Sequence, residues 1–310
     1  MIDPSVTLAG VRFNGPAFTA SGCAAAGKEL RNYFDLTEIG GVVTKSIMLR
    51  PRSGRPTPRM VETPSGMLNS IGLQGPGVES FLANDLAWLR DNGVTAVVSI
   101  AGETVDEFGQ LARILRNESG IAALEVNISC PNVESRGQVF ACDVMSASGV
   151  IHQVRRNTNS SVPIFAKLSP DVTSIAEIAV ACRNAGADGF SVMNTTLGMA
   201  IDTQTLRPIL GGVTGGLSGP AIRPLAVRCV WQVHQAVPDA PILGMGGIAS
   251  GADALQFLAA GASAVEVGTM TFNDPSAPAR VQRELLALLE QRGFGSVAEA
   301  VGIGHRGGLA

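Results

Sequence analysis

Eight short apolar runs, each followed by a stretch able to form a helix, constrain this chain more than any other feature. They lie at Ala17–Ser21, Gly41–Ser46, Ala96–Ile100, Ala123–Ser129, Pro163–Leu168, Gly189–Met193, Pro241–Gly244 and Ala264–Val267. Apolar runs without polar alternation are the pattern of strands buried on both faces, the habit of parallel sheets. Between them, Val78–Leu89 sets Val78, Phe81, Leu82, Leu86 and Leu89 on one helical face. Thr173–Ala185 and Ala279–Leu289 behave alike, the latter through Val281, Leu285, Leu288 and Leu289. Eight strand–helix units in 310 residues predict an α/β fold: one (β/α)8 TIM barrel over residues 1–310, not a doubly wound sheet. Residues 1–16, with Val6, Leu8, Val11 and Phe13 around Gly10, predict a short N-terminal hairpin.

Three connections are too long to be plain turns: Arg50 to Gly77, Thr195 to Gly219 and Pro131 to Val144. In a barrel all three fall on the carboxyl-end face, where catalysis occurs, and the third could close as a lid over Cys130. The arginines of the first connection, Arg50, Arg52, Arg55 and Arg59, read as a solvated loop face, with partner docking as the alternative.

A net charge of −3 without a basic stripe argues against nucleic acid or an anionic membrane as partner. There is no signal-peptide pattern and no apolar run long enough to span a bilayer. Five cysteines in no metal-type spacing suggest free thiols in a reducing, cytoplasmic setting. Lysine is scarce, only Lys28, Lys45 and Lys167 against 20 arginines, so each lysine is a candidate for a task that needs a compact, titratable ammonium.

The segment Ala123–Asn132 (ALEVNISCPN) is the chemical centre of the sequence. Its apolar half is a buried strand, and Asn127, Ser129, Cys130 and Asn132 follow at the carboxyl end. The reactive side chains at the predicted strand ends are Ser21, Lys45, Ser46, Asn127, Cys130, Asn132, Lys167, Asn194 and Thr195. No histidine is among them, which disfavours a zinc site or a Ser–His hydrolase. Proton transfer then falls to Cys130 or the lysines. Cys23, in an alanine-rich run, reads as packing, and Cys142, Cys182 and Cys229 as filler. Two glycine signals follow the last strands, Gly244–Gly251 and Gly268-Thr269. Exposed amides there bind phosphate in barrels. Two lysines, several amides and no metal cluster suit flavin mononucleotide, whose reduced ring is anionic.

Eight stretches in this order carry a resemblance: Thr44-Lys-Ser46, Asn69-Ser-Ile-Gly-Leu73, Asn127-Ile-Ser-Cys-Pro-Asn132, Ala166-Lys-Leu-Ser-Pro170, Met193-Asn-Thr195, Gly215-Gly-Leu-Ser-Gly-Pro220, Gly246-Gly-Ile248 and Val267-Gly-Thr269. Over nearly its whole length the chain resembles the class 1 dihydroorotate dehydrogenases, and is most similar to class 1B. That resemblance implies oxidation of dihydroorotate to orotate on FMN in pyrimidine (UMP) biosynthesis. It also implies a partner subunit carrying FAD and a 2Fe–2S cluster that passes electrons to NAD, in a homodimer or heterotetramer. Cys130 would be the catalytic base at C5. Lys45, Asn69, Ser70, Ile71, Gly72, Leu73, Asn127, Asn132, Asn194 and Thr195 would hold the substrate. Ser21, Lys45, Ser46, Ser99, Asn127, Lys167, Val192, Gly219, Gly246, Gly247, Gly268 and Thr269 would hold FMN.

Two positions depart from the family pattern: Ser99 stands where an asparagine is expected, and Ala141 where a glycine is usual in the lid. The alternatives are a class 1A homodimer using fumarate, a related flavin barrel acting on another pyrimidine, and a flavin-binding scaffold without turnover.

Overall fold

The structure, a computed structural model, describes residues 2–129, 131–132 and 138–306. Eight parallel strands close into a barrel, each strand hydrogen-bonded to the next: β1 Ala17–Thr19, β2 Gly41–Val43, β3 Ala96–Ile100, β4 Ile121–Asn127, β5 Ile164–Lys167, β6 Gly189–Val192, β7 Ile242–Met245 and β8 Ala264–Val267. Closure is made by the last strand on the first, with Val265 opposite Ala17, Glu266 opposite Phe18 and Val267 opposite Thr19. The eight expected runs are these eight strands, and the predicted hairpin is present as Val6–Leu8 paired with Val11–Phe13.

The outer helices begin where short polar side chains can cap them. α1 (Val105–Leu115), α2 (Val144–Asn157), α3 (Ile175–Asn184) and α5 (Gly251–Ala260) are preceded by Thr104, Asp143, Ser174 and Ser250. Each cap side chain accepts from a backbone N–H three residues on, at Glu107, Ser146, Glu177 and Asp253. α4 (Arg223–Ala236) and α6 (Ala277–Gln291) instead carry a proline in the first turn. Their apolar stripes meet the outward faces of the strands and build the core between strand and helix layers.

The connection from β1 to β2 has no α-helix, only the turns Leu30–Asn32 and Leu36–Glu38. The helix expected over Val78–Leu89 is present, but its centre, Phe81–Leu86, is π-wound. There the ammonium of Lys28 donates to the carbonyl of Asn84 (3.2 Å) and pairs with Asp85 (2.7 Å). A side chain that takes a carbonyl from the helix ladder is a recognised cause of such winding.

The connections Arg50 to Gly77 and Thr195 to Gly219, expected to be more than plain turns, are partly strand. Met60–Thr63, Gly66–Asn69, Gly215–Ser218 and Thr196–Gly198 form one antiparallel sheet in which Asn69 faces Gly216 and Met67 faces Ser218. This sheet stands at the carboxyl ends of the barrel strands. Pro131–Asn132 pairs with Gln138–Val139. Among the described residues no helix is long and apolar enough to cross a membrane, and no cluster of His, Cys, Asp and Glu could hold a metal.

Candidate active site

A cavity of about 880 Å³ opens at the carboxyl ends of the strands, roofed by the added sheet. That volume lies in the range typical of ligand sites, about 300–1,000 Å³. Another hollow, about 490 Å³, lies at the opposite end of the barrel against Arg183, Asp188, His234 and Asp239. Its charges are spent on neighbours: Arg183 donates to Asp239 (2.9 Å), and Asp188 accepts from Arg155 (2.9 Å). The chemistry therefore belongs to the first cavity.

Three sets of residues wall it. Strand ends supply Ser21, Lys45, Ser46, Asn127, Lys167, Asn194 and Thr195. The roof supplies Asn69, Ser70, Ile71, Gly72 and Leu73, where positive φ at Gly72 (76°) and Leu73 (56°) turns the chain back over the opening. Gly219, Gly246, Gly247, Gly268 and Thr269 form the third wall. Gly247 has φ 78°, and a Cβ on it would stand 2.7 Å from the carbonyl oxygen of Gly219. Only glycine lets the two turns meet so closely.

Hydrogen bonds fix the polar wall. Asn127 Nδ2 donates to Ser46 Oγ (3.1 Å), while Asn127 Oδ1 accepts from Asn194 Nδ2 (3.3 Å) and the Ser129 N–H (3.2 Å). Asn194 Oδ1 accepts from the Thr195 N–H (2.8 Å). Asn69 Nδ2 donates to the Gly216 carbonyl (3.4 Å), tying roof strand to roof strand. Thr269 Oγ1 donates to Ser218 Oγ (2.8 Å), joining the roof to the end of β8.

The cations differ in setting. Burial holds the Lys45 ammonium below its ordinary range, with Cys23 opposing, and no hydrogen-bond acceptor meets it among the described residues. Burial also disfavours charge on Lys167, but the carboxyl groups beside it, Glu125 foremost, outweigh this and hold it above its usual value. Lys167 Nζ lies 3.2 and 3.4 Å from the two oxygens of Glu125.

Cys130 lies outside the described residues, and of Asn132 only the strand pairing is described. Ser99 and Val192, expected against the cofactor, are not in the cavity wall. Ser99 is fully buried in the barrel bore, where its hydroxyl contacts Ser46 Oγ (2.9 Å) and donates to Glu125 (2.9 Å). Val192 is fully buried too, and the next residue, Met193, reaches the cavity.

Several residues in and beside the cavity have a setting other than the one sequence reasoning gave them. Cys23, read as packing, lines the cavity, and burial pushes its thiol up to about 11, with Lys167 and Lys45 pulling the other way. Cys142, read as filler, is exposed. Arg52 and Arg55, read as a solvated loop face, line the opening, with Arg52 paired to Glu103 and Arg55 donating to Ser70 Oγ (3.3 Å). Glu125 and Glu266 sit inside strands that otherwise read as apolar. A carboxyl within a buried run was the available signal, because such a group needs a partner.

Residues 4–289 match the family described as dihydroorotate dehydrogenase. The chain is 50% identical over 300 residues to "Dihydroorotate dehydrogenase B (NAD(+)), catalytic subunit" of Geotalea daltonii, covering 97% of each. The same description belongs to a relative from Desulforudis audaxviator, 49% identical over 307 residues and 99% of each chain. It also belongs to one from Desulforamulus reducens, 50% identical over 290 residues and 94% of each.

Proposed function

The chain belongs to the dihydroorotate dehydrogenase family, and from this we propose that it is the catalytic subunit of a class 1B enzyme, oxidising dihydroorotate to orotate in pyrimidine biosynthesis with FMN at the barrel mouth. The observation that carries this is the convergence on one cavity of both strand-end lysines, three asparagines (Asn69, Asn127, Asn194) and a close-packed glycine cradle.

The wall fits FMN from one end to the other. Gly246, Gly247, Gly268 and Thr269 present backbone to a phosphate, and a Cβ at Gly247 would collide with the Gly219 carbonyl and Arg223 that complete this turn. Ser21, Ser46 and Lys167 lie on the far side, where a ring that becomes anionic needs donors and positive charge. When bound, FMN supplies the acceptor for the hydride leaving C6 of the substrate. Lys45, which meets no acceptor among the described residues, can reach the substrate carboxylate and the flavin edge. Asn69, Asn127 and Asn194 orient the pyrimidine ring, and their own bonds to Gly216, Ser46 and each other keep the amides from rotating. Cys130 takes the proton from C5. A free thiol titrates near pH 8.5, so enclosure with substrate must activate it. Electrons leave through a separate subunit carrying FAD and a 2Fe–2S cluster and reach NAD.

Purified protein should be yellow, or become so with added FMN, and dihydroorotate should bleach it anaerobically. Cys130→Ala should keep FMN but lose this oxidation by about 10²–10⁴-fold, the worth of a general base. A near-wild-type rate would reject the thiol as base, and protein that never takes up FMN would reject the flavin. NAD reduction should need a co-purified partner, whereas turnover with fumarate alone would place the enzyme in class 1A.

A further inference from the structure

At the cavity floor, three charged side chains meet in the bore of the barrel. Glu125 comes from β4, Lys167 from β5 and Glu266 from β8, with 0%, 4% and 1% of their surface exposed. If all three were ionised, the bore would hold one more negative charge than positive, a costly excess for buried groups.

The hydrogen bonds show which acid carries charge. Glu125 Oε1 accepts from Ser99 Oγ (2.9 Å) and Lys167 Nζ (3.2 Å), and Oε2 faces the same ammonium (3.4 Å). A carboxyl surrounded by donors is the ionised one. Glu266 is in the opposite position. Among the described residues, its Oε1 has only a long bond from Ser191 Oγ (3.4 Å), and its Oε2, fully enclosed, has no hydrogen-bond donor. What stands within hydrogen-bonding reach is the carboxyl group of Glu125, another acceptor. A proton on Glu266 turns that orphaned oxygen into a donor and gives Glu125 a further bond.

We propose that Glu266 is a neutral carboxylic acid that donates its proton to the ionised Glu125, so that the buried trio carries no net charge and holds Lys167 at a fixed point under the flavin. Glu266 is thus a positioning residue that acts through Glu125 and Lys167; what Lys167 faces rests on the flavin reading above, whereas the proton on Glu266 does not. Every element packed on Glu266 agrees. β4 brings Glu125, β5 brings Lys167 and β6 brings Ser191; Cys23 follows β1, and Lys45, beyond it after β2, faces that thiol. Burial pushes Glu266 well above the usual carboxylate range and Glu125 pushes it further; against this, Lys167 is already bonded to Glu125 and Ser191 offers only its long bond. A neutral Glu266 also adds no second negative charge below a ring that becomes anionic on reduction.

Infrared spectroscopy of the purified holoprotein tests this directly. Among the described residues the other buried acids are Glu125 and Asp253, and Asp253 is paired with Arg223 (2.7 Å). A carboxylic-acid C=O stretch persisting to about pH 8 should therefore belong to Glu266. Glu266→Gln, which keeps a neutral donor, should abolish the band and change FMN affinity by less than about threefold. Glu125→Gln should also abolish it, because Lys167 then needs Glu266 as its counter-ion. Wild-type spectra without an acid band at that pH, or a band unchanged in Glu266→Gln, overturn the proposal, and the wild-type titration decides alone if the variants fail to fold. A flavin-free protein that still shows the band would reject the flavin reading and leave the protonated Glu266 standing.

Discussion

Ser46 receives two hydrogen bonds and gives one, and the direction of each is forced. The single proton of Ser99 is committed to Glu125, so the proton between Ser46 and Ser99 (2.9 Å) must come from Ser46. Ser46 is then left as acceptor toward Asn127 Nδ2 (3.1 Å) and Ser21 (3.3 Å). One ionised carboxyl in the bore thereby sets the orientation of an amide at the cavity surface, three hydrogen bonds away. Ser46→Ala would remove the acceptor that Asn127 Nδ2 meets and the donor that the buried Ser99 hydroxyl receives. The expected loss is about 1–3 kcal/mol, read as a lower denaturant midpoint at unchanged slope. KM for dihydroorotate should rise as well, because Asn127 loses the bond that holds its ring-facing amide. An unchanged midpoint would mean that water replaces the hydroxyl and that the chain of bonds is not a structural unit.

At the scale of elements, the turn after β7 and the glycine before α4 meet in a close fit. Gly219 has φ 97° and Gly247 φ 78°, and a Cβ on Gly247 would also come within 2.9 Å of Arg223 Cβ. Gly247→Ala therefore meets both a left-handed backbone and blocked space, at a cost of about 1–3 kcal/mol. If the cradle yields instead of the fold, the cost appears in the ligand. FMN affinity, measured by flavin fluorescence, should fall by about tenfold or more. Full affinity would show that the phosphate is held elsewhere. These elements were legible in the sequence because buried parallel strands leave unbroken apolar runs, and because the polar residues after each run fall on one face of a barrel. The roof was not legible. Its strands, such as Gly66–Asn69, are paired with residues almost 150 positions away (Met67 with Ser218), and no local period reports that. The π-wound centre of residues 78–91 depends on Lys28, also remote in sequence. Glu125 was hidden for the same reason: its partners stand on β3, β5 and β8, so the run Leu124-Glu125-Val126 shows an unexplained charge but not what satisfies it.

The molecule as a whole separates what holds it closed from what it binds. All the cavity-lining side chains stand at the carboxyl ends of the strands, while the seam between the first and last strands is secured at the other end by α6. There Gln282, 6% exposed, accepts from the Ala17 N–H (3.3 Å) and donates to the Glu38 carbonyl (2.5 Å). One amide thus pins the start of β1 to the turn that leads into β2, and Gly15 has no side chain because that amide occupies the space. Gln282→Leu keeps the volume but leaves the buried Ala17 N–H without its acceptor and the Glu38 carbonyl without its donor, which should remove about 1–3 kcal/mol. For a chain of this size that is a fall in melting temperature of roughly 2–8 °C. Because the barrel shares one core, unfolding should stay a single transition, and FMN affinity at the opposite face should be unchanged below it. In barrels the amino-terminal face serves stability and the carboxyl-terminal face chemistry. A variant that kept its melting temperature but lost flavin would show that the seam transmits to the site, and that this separation does not hold here.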